Sequence, residues 1–117
     1  MHFPRGRRIT RRRDFLRVRR EGQSVAGRFL VLGYLYDPEA VETVKVGYLT
    51  TKKIGNAVVR ARTRRRLRGI LQRLGDRLKP GYWLVVIPRY TAPGVDSEAL
   101  EKEWKYLARK AKLLVEE

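Results

Sequence analysis

From Lys52 to Arg68 the sequence reads KKIGNAVVRARTRRRLR, with eight basic side chains and no acid in 17 residues. An ordinary ion-paired surface carries acids among its bases, so this charge is placed to meet an external polyanion. Six of the eight are arginine. The planar guanidinium fork donates two hydrogen bonds at once to a phosphate, whereas an ammonium acts as a point charge. The chemistry on offer is the holding of phosphate groups.

The element that must position these groups is a helix from Asn56 to Leu74. Asn56 is a good N-cap, Leu67, Ile70, Leu71 and Leu74 recur at i, i+3, i+4 and i+7, and Gly75 is expected to end the helix. With about 100° per residue and Leu67 at the centre of the buried stripe, Arg62, Arg65 and Arg68 fall on the opposite face, flanked by Arg64 and Arg66. The helix start adds free amides that also attract phosphate. Arg60 breaks the pattern: the same wheel sets it on the apolar stripe, from which it either reaches past a sheet edge or snorkels to water. For an Arg-rich helix taken alone, a merely solvated face is the competing reading. A chain of 117 residues with formal charge +16 favours nucleic acid instead.

Residues for bond-breaking chemistry are missing. There is no cysteine, and the single histidine is His2, so neither a thiolate site nor a histidine acid–base pair can be assembled. Asp14, Asp37 and Asp76 are scattered beside turns or bases and read as caps or surface charges. No catalytic set, no metal-ligand set and no bound cofactor is expected.

Length limits the chain to one domain over residues 1–117. Without a long apolar run or a signal-like start, the expected setting is the cytoplasm, with no membrane partner. Residues 1–10 lack a hydrophobic period and are expected to be mobile in the free protein. Thr10 is placed to cap a short, very basic helix running to about Arg20, with Phe15 and Val18 on one face and Gly22 as its stop. Residues 25–36 read as a strand or hairpin with both faces apolar: Phe29, Val31, Gly33 and Leu35 on one side, Leu30, Leu32, Tyr34 and Tyr36 on the other. Val44 to Thr51 reads as a returning antiparallel strand in which Gly47 marks a bulge or close approach. The run Tyr82 to Pro88 reads as a central buried strand. A final helix begins at Ser97, with acids early, bases late and Leu100, Trp104, Leu107, Ala108 and Ala111 as its stripe. The class is α+β, helices against a small sheet.

At these residues the chain resembles the bacterial ribonuclease P proteins, whose signature helix opens Lys-Lys-x-Gly-Asn-Ala-Val-x-Arg-Asn-Arg. Lys52 through Val58 keep that opening, and Arg60, Arg62, Arg65 and Arg68 keep the spacing. Asp14-Phe15, Gly22, Ser24, Arg28, Val46-Gly47 and the strand ending at Pro88 also fall where the family has them. The resemblance implies an α-β-β-β-α-β-α sandwich with a left-handed βαβ crossover, like a domain of ribosomal protein S5; the general handedness rule would give the opposite crossover.

The same resemblance implies two RNA partners, a catalytic ribonuclease P RNA and precursor tRNA. Lys52, Lys53, Asn56, Arg60, Arg62, Arg64, Arg65, Arg66 and Arg68 would contact the catalytic RNA. Phe15, Arg19, Val31, Gly33, Leu49, Thr51, Lys53 and Arg60 would form a cleft for the single-stranded 5′ leader, with Phe15 either a stacking platform or simply core. Cleavage would belong to the RNA with its Mg²⁺ ions. Three positions depart from the pattern: Ala61 replaces an asparagine, Arg19 a second aromatic on the first helix, and Gly33 an aromatic on the long strand. The cleft is therefore expected to rely less on stacking and more on charge. A ribosomal protein and a non-specific DNA-coating protein are the alternatives, and the intact Lys-Lys-x-Gly-Asn-Ala-Val run argues against the first.

Overall fold

The structure, a computed structural model, describes residues 8–115. Seven elements follow in the order α1 (Arg12–Glu21), β1 (Gln23–Ala26), β2 (Leu30–Tyr36), β3 (Lys45–Tyr48), α2 (Ala57–Leu74), β4 (Tyr82–Pro88) and α3 (Ser97–Lys110), with 3₁₀ turns at Lys52–Ile54, Gly75–Arg77 and Ala92–Gly94. This is the expected α-β-β-β-α-β-α order in the α+β class. The sequence segment 25–36 resolves into a hairpin, closed where the Gly27 amide donates to the Leu30 carbonyl at 2.8 Å.

One strand lies elsewhere than its sequence neighbourhood suggests. The sheet order is β1-β2-β4-β3, and β3 pairs with β4 in parallel, not with β2 in an antiparallel hairpin. Leu84, Val85 and Val86 of β4 are almost fully buried, with a packed layer over each face of the strand, and an interior position also shields both of its edges. It therefore takes the place beside β2, in antiparallel register with Leu32 opposite Val86. Residues 37–44 carry the chain past its end, held by the Gly81 amide on the Thr43 carbonyl at 2.6 Å and the Asp37 amide on the Gly81 carbonyl at 2.7 Å.

Strand alternation gives the sheet two apolar faces, both covered. One face, with Leu30, Leu32, Val46, Leu84 and Val86, packs against α2 through Leu67, Ile70, Leu71 and Leu74 and against α3 through Leu100, Trp104 and Leu107. Removal of each such large side chain from water contributes about 1.5–3 kcal/mol. Ala111 packs at the edge of this cluster, one residue beyond α3. The opposite face carries a smaller cluster of Ile9, Val18, Trp83 and Val85, against which Phe15, Leu35 and Ile87 pack. Arg17 and Lys45 close its far end, their charged groups 4.8 and 4.5 Å from the Trp83 ring centroid.

The entrance to α1 departs from expectation. Arg11 is the residue before the helix and makes no side-chain cap; Thr10 does not cap it. The Ile9 amide donates to the Val46 carbonyl at 2.9 Å, and Ile9 is buried. That pins the chain along the outer edge of β3, so the helix starts one residue later. Residues 8–10 thus lie against the sheet edge, while His2 and the rest of 1–7 lie outside the described residues. Gly22 stops α1 as expected: a Cβ there would sit 2.2 Å from the Tyr34 carbonyl oxygen. Gly75 does not act through a left-handed conformation; its φ is −65° and the chain runs on into a 3₁₀ turn.

Candidate nucleic-acid interface

The beginning of α2 is built by three residues of the signature run acting together. The Asn56 side chain accepts the Val59 amide at 3.0 Å, satisfying one of the free donors of the first turn. Gly55 has φ 144°, and a Cβ on it would meet the Val59 side chain at 2.9 Å. Arg60 turns back to donate from Nη1 to the Gly55 carbonyl at 3.0 Å. The ambiguous arginine of the helical wheel is therefore a brace for the turn that launches the helix. Ile54 is buried beneath this turn while Lys52 and Lys53 face solvent.

Along the helix, the arginines divide into two groups. Arg62, Arg65 and Arg68 are exposed, as the wheel predicts, and Val58 shares their outer side, 65% exposed. Arg64 and Arg66 are held against neighbouring elements. Arg64 donates from Nη2 to Thr50 Oγ1 at 2.7 Å. Arg66 donates from Nε to Ser97 Oγ at 3.0 Å and from Nη2 to the Val95 carbonyl, tying α2 to the start of α3. Thr63, unremarked in the sequence, is buried and bonds the Val59 carbonyl at 2.8 Å. Among the described residues, no base between Lys52 and Arg68 has an acid within 4.0 Å; the ion pairs lie on Arg17, Arg73 and Lys105. Arg68 stands 5.9 Å from the ring centroid of Tyr48. Burial pushes the Tyr48 phenol up to about 12, against the opposing pull of Arg68 and Arg8.

A cleft of about 800 Å³ opens on the other face of the sheet, between α1 and the ends of the strands. Phe15, Arg19, Val31, Gly33 and Leu49 all line it, as expected. Thr51, Lys53 and Arg60 do not: the chain leaves the sheet after Leu49 and turns toward α2, taking Thr51 and Lys53 out to solvent, while Arg60 is bound to Gly55. Phe15 stands where both readings remain open, packed on one edge and facing the cleft on the other. Its Cε1 lies 2.9 Å from where a Gly47 Cβ would stand, so one edge packs tightly over that glycine while the ring also lines the cleft.

Arg12, Leu16 and Ile87 are among the lining residues that the sequence reading did not place in the cleft. Arg12 and Leu16 share the helical face of Phe15 and Arg19 at i, i+3, i+4 and i+7, and Ile87 follows Val85 in strand alternation; these were the available signals. At Gly33 a Cβ would meet Val18 at 3.5 Å and Val85 at 3.9 Å, ordinary contact distances. Anything larger than alanine there must extend into the cleft.

The sequence profile of the family described as Ribonuclease P matches residues 3–112. The chain belongs to the ribonuclease P protein family. The ribonuclease P protein component of Bacillus velezensis is 38% identical over 106 residues, covering 91% of this chain and 90% of the relative. That of Symbiobacterium thermophilum is 36% identical over 110 residues, covering 94% and 95%. The solved ribonuclease P protein of Staphylococcus aureus superposes with TM-score 0.84 at 26% identity, covering 93% of this chain and 98% of that one. The one from Thermotoga maritima gives 0.75 at 27% identity over 87% and 96%. A ribonuclease P protein is one component of a ribonucleoprotein endoribonuclease, so its partner class is RNA. In this ribonuclease P protein the signature run from Lys52 has an architectural half, Gly55, Asn56 and Arg60, and an outward half, Lys52, Lys53, Arg62, Arg65 and Arg68.

Proposed function

We propose that this chain binds the catalytic RNA of ribonuclease P through the outer side of α2 and the Lys52–Ile54 turn, and holds the single-stranded 5′ leader of precursor tRNA in the cleft beneath α1. In doing so it promotes endonucleolytic removal of the leader, giving the mature tRNA 5′ end, and it works as one domain in the cytoplasm. The observation that carries this reading is the separation of two differently built surfaces. One is an acid-free arginine face suited to a phosphate backbone. The other is a cleft with an apolar floor, Val31, Leu49 and Ile87, an aromatic wall, Phe15, and a basic rim, Arg12 and Arg19. Bases that are unpaired and splayed take such a floor and wall, and their phosphates take the rim.

Among the described residues no three of His, Asp or Glu stand together. Phosphodiester cleavage needs a metal site or a positioned acid and base. We assign both to the RNA, where bound Mg²⁺ would supply the activation of water. The protein's own part is to bind, orient and neutralise.

The test is cleavage of 5′-labelled precursor tRNA at low Mg²⁺ by a bacterial ribonuclease P RNA with and without this chain. Protein-dependent cutting at the mature 5′ end is expected. Metal-dependent cutting by the RNA-free protein would overturn the division of labour. Absence of stimulation with RNA binding intact would favour a ribosome-associated binder.

A further inference from the structure

The hairpin turn between β1 and β2 is held by an acid on α3, the helix packed on the sheet face away from α1. The Glu103 carboxylate accepts the consecutive amides of Arg28, Phe29 and Leu30 at 2.6, 2.7 and 2.7 Å. Gly27 makes room for it, since a Cβ there would stand 2.6 Å from the carboxylate. The carbonyls of the turn are taken as well: Gly27 by Arg89 Nη1 at 2.8 Å, Arg28 by Thr91 Oγ1 at 2.6 Å, and Phe29 by the Arg89 amide at 2.8 Å. Every backbone donor and acceptor from Gly27 to Phe29 therefore has a fixed partner, so a turn of three residues has a single orientation.

What this rigid turn presents is Arg28. Its side chain is exposed, and among the described residues its guanidinium has neither an ion pair nor a hydrogen bond. The turn stands just beyond the row Ala26, Val31 and Ile87, and Val31 and Ile87 form the floor of the cleft. A strand of RNA leaving that floor passes the turn next. The three bonds tie the turn to α3 and fix the backbone from which one unpaired cation projects, at the end of the sheet where Val31 and Ile87 line the cleft.

We propose that Arg28 is a phosphate contact that extends the leader path beyond the cleft, and that Glu103 is the positioning residue that aims it. This rests on the reading of the cleft as the leader site. Leaders that end within the cleft never reach Arg28, so the contact is felt only by longer ones.

The experiment measures affinity of the reconstituted holoenzyme for precursor tRNAs with a short leader of roughly two nucleotides and a long one of roughly ten, using wild type, Arg28→Ala, Glu103→Gln and the double variant, with thermal melting of each protein. Glutamine keeps the shape of Glu103 but turns an NH₂ group toward amide donors, releasing the turn. Arg28→Ala is expected to reduce binding of the long-leader substrate by roughly tenfold or more, in line with one lost charge-assisted phosphate bond, and to leave the short-leader substrate unchanged. Glu103→Gln is expected to reproduce that selective loss, and the double variant to lose no more than Arg28→Ala. Additive losses, or equal losses on both substrates, would show that Glu103 only stabilises the fold and would overturn the positioning role. A wild type that discriminates leader lengths while Arg28→Ala discriminates equally well overturns the assignment alone. A wild type indifferent to leader length overturns the cleft reading beneath it.

Discussion

Arg64 Nη2 donates to Thr50 Oγ1 at 2.7 Å, while Arg65, its neighbour in sequence, is exposed with no acid beside it. Adjacent arginines on one helix thus have different work. Arg65→Ala is expected to weaken RNA binding, lower the slope of log affinity against log salt by about 0.7–0.9, and leave the melting temperature unchanged. Thr50→Val, which takes away the partner of Arg64, is expected to cost about 1 kcal/mol of stability with little change in salt slope. Salt titrations of RNA binding alongside thermal melts separate the two; equal salt slopes for wild type and Arg65→Ala would remove Arg65 from the interface.

Asn56→Ala removes the acceptor of the Val59 amide and is expected to cost about 1 kcal/mol, as N-cap losses do. Gly55→Ala is expected to cost more, because its φ of 144° is closed to alanine and the new Cβ meets Val59 at 2.9 Å. Chemical denaturation of the free protein measures both. Asn56→Asp is expected to keep most of the stability, since the carboxylate accepts the same amide.

These expectations show how far the sequence was readable. The periodicity of Leu67, Ile70, Leu71 and Leu74 located α2 and its outer face because a helix is a local object whose phase is written every three to four residues. The partner of β3 was not written locally: the seven or so residues between strands suggested a hairpin, and burial of β4 on both faces overruled it. Arg60, Arg64 and Arg66 have the same side chain as Arg62 and Arg65, so only the positions of Gly55, Thr50 and Ser97 in space reveal that they are braces. Nothing in the sequence sets Glu103 apart from the other acids of α3, because a hydrogen bond spanning more than seventy residues leaves no mark on spacing.

Tyr48 is expected to titrate near 12, raised by burial from 10.0. A phenol whose folded pKa lies above its unfolded value contributes stability that is intact below pH 10 and is lost as pH rises toward and through 12. Absorbance titration of tyrosinate should therefore contain one late-ionising component, absent from Tyr48→Phe, and wild-type stability should fall more steeply than that of Tyr48→Phe over this window. If the two proteins give superimposable stability curves, Tyr48 is not withdrawn from solvent.

Gly47→Ala places a methyl group against Ile9 and Phe15, 2.7 and 2.9 Å away. Overpacking of this kind costs about 1–3 kcal/mol. Both partners belong to the α1 side of the sheet, so the strain is expected to shift α1 and lower leader affinity without touching the α2 face. Comparing binding of precursor and mature tRNA by the holoenzyme reads this directly; equal losses on both would place the damage outside the cleft.

Phe15 makes two kinds of contact, with the core and with the cleft, that a pair of substitutions can part. Phe15→Leu keeps an apolar body against Ile9, Val18 and Gly47 but removes the flat ring from the cleft. Phe15→Ala removes both, and a large-to-small change at a packed aromatic costs up to about 3–5 kcal/mol, less here because the ring is only partly buried. If the ring stacks on a leader base, Phe15→Leu lowers affinity for leader-bearing precursor by an amount set by stacking, about 1–3 kcal/mol, with a small change in melting temperature. With Arg12 and Arg19 on the rim and Gly33 on the floor, charge is expected to carry more of the grip than stacking. Arg19→Ala should then reduce leader affinity at least as much as Phe15→Leu does, with a lower salt slope. Leader affinity that follows melting temperature across all three variants would mean that Phe15 is core and nothing more.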